Sequence, residues 1–205
     1  MAKKRINQRD IEHDIDPIFP TRWSPRAMSG EKIEKEELLE LLEAARWAPS
    51  SYNEQPWRFV YALRDTKEWD TFFGFIFDGN KVWCGNAAAL VVMISKRNFE
   101  MNGKVNNNHS FDTGAAWENL ALQGSMKGLV VHCMAGFDHE SAKELLEIPD
   151  EYDIEAMAAI GKHGELEVLP QKLREMEVPS SRKKVEEISF EGKYINNRIP
   201  QYKKT

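Results

Sequence analysis

Cysteine is scarce in this chain of 205 residues: Cys84 and Cys133 stand alone and far apart. Two isolated thiols build neither a disulfide framework nor a zinc site, and they predict reduced, semi-buried side chains in a cytoplasmic protein. The five histidines (His13, His109, His132, His139, His163) lack metal-ligand spacing, so no metal centre is expected. A basic excess is also missing. With a net charge of -5 the chain does not suit general nucleic-acid binding, which needs cationic charge to release counterions. No apolar run approaches the ~20 residues of a membrane span. The longest, Ala87 to Ile94, has the length of a buried strand. Charges at the N-terminus have no apolar segment behind them, so no secretory signal is expected, and Lys3, Lys4 and Arg5 read as a solvated, frayed tail. No GxGxxG follows a strand, which excludes an ordinary Rossmann domain and leaves any nicotinamide to bind without one.

Against these absences, a hydrophobic content of 41% supports one globular domain with a real core. We expect a tail over residues 1–18 and a single domain over 19–205. Glu34 to Trp47 predicts an amphipathic helix, with Leu38, Leu41, Leu42 and Ala45 at helical spacing and Pro49 beyond its end. Trp57 to Leu63 alternates like a half-buried strand, and Lys67 to Phe77 reads as an aromatic-rich helix. A turn with a short helical piece follows at Gly79 to Asn86. Further strands are expected at Ala87–Ser95, Leu129–Ala135 and Ile154–Gly161. The longest helix spans about Ser110 to Lys127, ended by Gly128, and Asp138 caps a helix from His139 to Leu146. From about 165 to 205 the chain is polar and proline-punctuated, with too little apolar surface for its own domain. It suits an arm wrapped around a second subunit.

Two polar stretches carry chemistry. In TRWSPR, Arg22 and Arg26 flank Ser24, and forked guanidiniums pair bidentately with phosphate oxygens. Arg182, Lys183 and Lys184 offer a second cationic group near the other end, and the two make sense together if they meet one anion. Alternatively each is a solvated surface run. Between Pro49 and Pro56 lie Ser50, Ser51, Asn53, Glu54 and Gln55, more polar residues than a turn requires. Amide side chains donate and accept, so Asn53 and Gln55 suit the edge of a flat polar heterocycle. Asn80 is a further ring or ribityl candidate, or a plain turn asparagine. Ala135 and Gly136 are small enough for backbone N–H groups to approach a ligand face. A phosphate tail on a planar hydrogen-bonding ring is the outline of flavin mononucleotide (FMN).

The string RWSPR followed by EAARWAPSSYNEQPWRF (Glu43 to Phe59) resembles the FMN-dependent nitroreductase family. The likeness runs from about Phe19 to Ile188, with later blocks at Gly79–Ser95, Phe111–Leu129, MAGFD and Ala156–Glu165. It implies an α+β fold: a mostly antiparallel central sheet flanked by helices, in an intertwined homodimer with two FMN sites at the subunit interface. By position, Arg22, Ser24 and Arg26 would hold the phosphate, ribityl chain and N1/O2 edge, completed by Arg182 and Lys183. Ser50, Ser51, Asn53 and Gln55 would reach the flavin of the partner subunit, and Ala135 and Gly136 would face N5. The chain departs from the family where Trp83 replaces a common lysine, which leaves Arg26 as the cation for reduced flavin, and where KHGELEVLP, with His163, follows Gly161.

The resemblance further implies hydride transfer from NAD(P)H to FMN, then to an electron-poor small molecule such as a nitroaromatic, quinone or enone, in ping-pong order. The flavin carries the chemistry, so no catalytic side chain is named. The alternatives are a specialised relative on the same fold, such as a reductive dehalogenase or flavin-consuming enzyme, and a non-catalytic flavin-binding protein. Acceptor specificity would lie in variable loops, at Phe72–Phe77 and Phe99–His109.

Overall fold

A computed structural model of the chain describes residues 4–194. In order, its elements are β1 (Lys4–Ile6), β2 (Arg9–Ile11), α1 (Ile18–Thr21), α2 (Lys35–Arg46), β3 (Trp57–Leu63), α3 (Lys67–Gly74), α4 (Asp78–Cys84), β4 (Ala89–Lys96), α5 (His109–Met126), β5 (Leu129–Met134), α6 (His139–Leu145), β6 (Tyr152–Lys162), α7 (Gln171–Arg174) and α8 (Val185–Ile188). They form two compact units. One spans residues 24–178; the other joins the segment up to residue 23 with the segment from 179.

The larger unit is built on a four-stranded sheet in the order β3-β4-β6-β5, every pair antiparallel. Strand β4 is the apolar run singled out above, and it sits inside the sheet with both faces covered. Its side chains alternate accordingly. Leu90, Val92 and Ile94 join a core with Phe72, Phe75, Ile76, Trp83 and Phe137. Ala89, Val91 and Met93 join another with Leu38, Leu41, Ala116 and Leu120. Helices therefore cover both faces, in the expected α+β arrangement. Helix α2 opens at Glu34 with a capping box, in which the Glu34 N–H donates to Glu37 Oε2 at 3.0 Å. It packs on α5, whose Gly124 lies so close to β5 that an added Cβ would overlap Val131. Gly128 takes a φ of +72°, which ends α5 and turns the chain directly into β5.

Two local expectations change. The helix expected over Lys67–Phe77 stops at Gly74, and α4 then occupies the stretch expected as mostly turn. Asp78 in the first turn of α4 favours that start through the helix dipole, and the cost of Gly79 is small beside the burial of Trp83 and Cys84. Burial pushes the Cys84 thiol up to about 12 and the Cys133 thiol up to about 11, so both are unreactive as thiolates.

In the smaller unit, β1 and β2 pair as a hairpin where the sequence reads as a frayed tail. Ile6 opposes Arg9 across a two-residue turn, and Asn7 and Gln8 both have positive φ, the geometry that matches strand twist. Three-residue strands leave no periodicity to detect. Among the described residues no helix is long and apolar enough to cross a membrane.

Candidate functional site

In the smaller unit, arginines gather. Arg9, on β2, is only 8% exposed. Its Nε donates to the Ser180 carbonyl at 2.9 Å, and its Nη1 donates to the carbonyls of Pro20 at 3.0 Å and Arg22 at 2.8 Å. Burial, then the charges of Arg182 and Arg22, lower its proton affinity. Two sequence-selected cations from opposite ends of the chain, Arg22 and Arg182, thus lie near a third guanidinium. Arg182 is exposed, and its Nη1 donates to Ser180 Oγ at 2.9 Å. Lys183 is exposed beside it. Converging guanidiniums repel, and a dianion offsets that repulsion, so this residue set fits a phosphate.

In the larger unit, Ser24 to Ala27 lie outside helix and strand and are held from two sides. Glu177, 8% exposed, accepts from the backbone N–H groups of Arg26 and, at 2.9 Å, Ala27; its other oxygen lies 3.4 Å from Arg26 Nη1. Arg26 therefore carries an internal counter-charge. From β5, His132 Nδ1 lies 2.9 Å from the Pro25 carbonyl, which can only accept, so Nδ1 bears the proton. Burial holds His132 below its usual range, so the ring is neutral near pH 7. Trp83 stacks obliquely on it, with ring centroids 4.4 Å apart, and donates its indole N–H to Asn80 Oδ1 at 3.1 Å. Trp83 is buried core here, whatever it replaces in relatives.

Beyond β5 the chain passes Ala135, exposed, and Gly136, half-buried. Asn80, inside α4 and not in a turn, donates its amide to the Gly136 carbonyl at 3.0 Å. A side chain at 136 would collide with that amide. Asn80 thus fixes the backbone beside Ala135. His163 is exposed and its backbone bridges to Met28.

The loop from Ser50 to Gln55 is strained. Tyr52, Asn53 and Gln55 have φ of 54°, 56° and 52°, a region that non-glycine residues rarely adopt. Such geometry persists only where neighbours impose it, and it concentrates at ligand clamps. The restraints are specific. The Ser51 N–H donates to Asp112 Oδ2 at 3.0 Å, Asn108 Nδ2 to Ser51 Oγ at 3.3 Å, and the Gln55 N–H to Ser50 Oγ at 3.0 Å. Asp112, 4% exposed, projects from the first turn of α5. That turn is anchored in its own right. Ser95 Oγ donates to Glu155 and, having one hydrogen, must accept from His109 Nδ1 at 2.7 Å. Tyr52 is 85% exposed at the loop apex, edge-on to Phe99.

The loop feeds β3 and Ala135–Gly136 leaves β5, which are opposite edges of the sheet. Both lie toward the same end, since Met134 pairs with Met157, Met157 with Val92, and Val92 with Val60, three residues into β3. Three strand spacings, about 14 Å, separate those edges. Arg9, Glu177, His132 and Asp112 were not candidates from sequence, because none lies in a spacing that signals its role. Each acts on a backbone group of a segment remote in sequence.

Comparison with known proteins identifies the family. The model of the nitroreductase family matches residues 20–82. A protein of Archaeoglobus fulgidus, provisionally named NADH dehydrogenase/NAD(P)H nitroreductase, is 30% identical over 159 residues, covering 74% of this chain and 86% of that protein. A crystal structure of an oxidoreductase containing FMN aligns with a TM-score of 0.90 at 42% identity, over 94% of this chain and 98% of that one. The structure of a provisionally named nitroreductase from Desulfovibrio desulfuricans in complex with FMN shares the fold, at TM-score 0.67 and 23% identity over 89% of this chain and all of that one (100%). The chain belongs to the nitroreductase family of oxidoreductases.

Proposed function

We propose that this protein is an FMN-dependent NAD(P)H oxidoreductase that reduces nitroaromatics, quinones or related electron-poor acceptors, working as a cytoplasmic homodimer. The observation that carries this reading is the approach of Arg22 and Arg182 to a common buried guanidinium, an arrangement suited to a phosphate dianion. FMN, when bound, supplies the centre that accepts and donates hydride.

The chain's own groups bind and orient. Arg22 and Arg182, with Lys183, neutralise the phosphate. Ser24 takes the ribityl chain, and Arg26 the N1/O2 edge with its charge moderated by Glu177. The backbone of Ala135 and Gly136, held by Asn80, presents N–H groups toward N5. Ser50, Ser51, Asn53 and Gln55 serve the flavin of the other subunit. Support for that division is the sheet itself, which sends this loop and the Ala135–Gly136 segment off opposite edges. No side chain is required as a general base, and donor and acceptor visit one pocket in turn.

Purified protein is expected to be yellow and to oxidise NADH or NADPH rapidly only when a quinone or nitroaromatic is supplied. Alanine at both Arg22 and Arg182 should release the flavin. A colourless protein that takes up no added FMN, or full flavin retention in the double variant, would overturn the assignment. A yellow protein without nucleotide oxidation would favour a non-catalytic flavin carrier.

A further inference from the structure

No residue of the β1–β2 hairpin is assigned a flavin contact above, yet the hairpin carries Arg9, a side chain held at three points. Arg9 follows the two-residue turn, and its guanidinium reaches three backbone carbonyls in three places. Pro20 lies in α1, Arg22 just after it, and Ser180 in the returning C-terminal segment. A second strut runs from Glu12, the residue after β2, to the same segment: its Oε2 accepts from the Val185 N–H at 2.8 Å. Arg182 lies between those two attachment points in sequence.

A guanidinium is an expensive tie for three carbonyls if structure is its only purpose, because it brings a buried charge close to two like charges. Its planar fork explains the choice of arginine, since lysine cannot reach divergent acceptors with fixed geometry. The like charges explain the location. One residue holds the carbonyl of Arg22 itself and that of Ser180, two residues from Arg182, while adding to the positive potential between them.

We propose that Arg9 is a positioning residue for phosphate recognition, fixing Arg22 and Arg182 through their own backbone segments so that the N-terminal hairpin makes the protein select FMN over unphosphorylated riboflavin. This rests on the FMN assignment above. Arg9 turns its hydrogen bonds to the protein, so it sets where the two phosphate-binding arginines stand.

The test measures dissociation constants for FMN and riboflavin, by quenching of flavin fluorescence, on the full chain freed of flavin. Wild type, Arg9→Lys and Arg9→Gln are compared, with thermal unfolding as a check on folding. Arg9→Gln is expected to weaken FMN ~10- to 100-fold while riboflavin changes less than about twofold, with Arg9→Lys between. An unchanged preference for FMN in Arg9→Gln, or an equal loss of both flavins, would overturn the proposal while leaving the FMN assignment intact. Failure of the wild type itself to bind FMN would instead remove the assignment, and the proposal with it. If Arg9→Gln does not fold, Glu12→Ala carries the same comparison: selective loss of FMN supports the hairpin's role, and an unchanged ratio refutes it.

Discussion

His132 shows how a single side chain can hold a segment and report on pH. Its proton on Nδ1 goes to the Pro25 carbonyl, and burial keeps the ring neutral. A histidine whose affinity for a proton falls on folding binds more proton when unfolded, so stability is full above about pH 6.5 and declines as pH falls below it. The urea midpoint of the wild type should therefore drop between about pH 7.5 and 5.5, and His132→Gln should show a smaller drop over that window. Equal pH dependence in both proteins would remove His132 as the cause. Glu177 acts at the same scale. It satisfies two backbone N–H groups and the guanidinium of Arg26, so the cation proposed for the flavin edge is held in place and partly neutralised. Neither residue was marked in the sequence, because a lone histidine or glutamate has no spacing that reveals a carbonyl or an N–H brought to it from elsewhere.

Most elements were legible. The helix through Leu38 and Leu41, the strand from Trp57 to Leu63, and the stop at Gly128 follow from apolar period and terminator residues acting over a few positions. Elements too short for a period were not, as in the hairpin and α1. Close packing between elements is also invisible in one dimension. Gly124 looks like an ordinary helix weakness, but α5 and β5 touch there. Gly124→Ala would raise helix propensity by about 1 kcal/mol. It would also press a methyl group into Val131, a buried β-branched side chain with little room to move, at a cost of about 1–3 kcal/mol. A net loss of about 1 kcal/mol is expected in denaturant titration, and a gain in stability would show that the helix shifts to relieve the contact. Asp138 is the contrary case, a cap readable from sequence: its carboxylate accepts from the N–H groups of Glu140 and Ser141, both at 3.1 Å.

At the scale of the whole molecule, the proposed sites draw on two copies of the chain. If the Ser50–Gln55 loop serves the partner's flavin, damage to the loop and damage to the arginines complement each other. Chains carrying Asn53→Ala with Gln55→Ala, mixed and reassembled with chains carrying Arg22→Ala with Arg182→Ala, should form mixed dimers with one intact site and regain flavin binding. No recovery on mixing would mean that the loop and the arginines of one and the same chain serve one flavin. Bound FMN should also raise stability by mass action, by about 2.7 kcal/mol at a concentration a hundred times its dissociation constant, and removal of the flavin should reverse that gain.

The sequence by itself determined the α+β class, the apolar central strand, the family and the polar segments suited to phosphate and ring. The strand and the polar segments rest on composition and on patterns only a few residues long, whereas the class and the family rest on the resemblance of longer motifs to known relatives. The tertiary structure alone decided that Arg9 joins Arg22 and Arg182, that Glu177 restrains Arg26, and that Asp112 holds the loop in left-handed backbone. Each of these is a hydrogen bond or field between groups far apart along the chain, and such proximity exists only once the backbone has closed on itself.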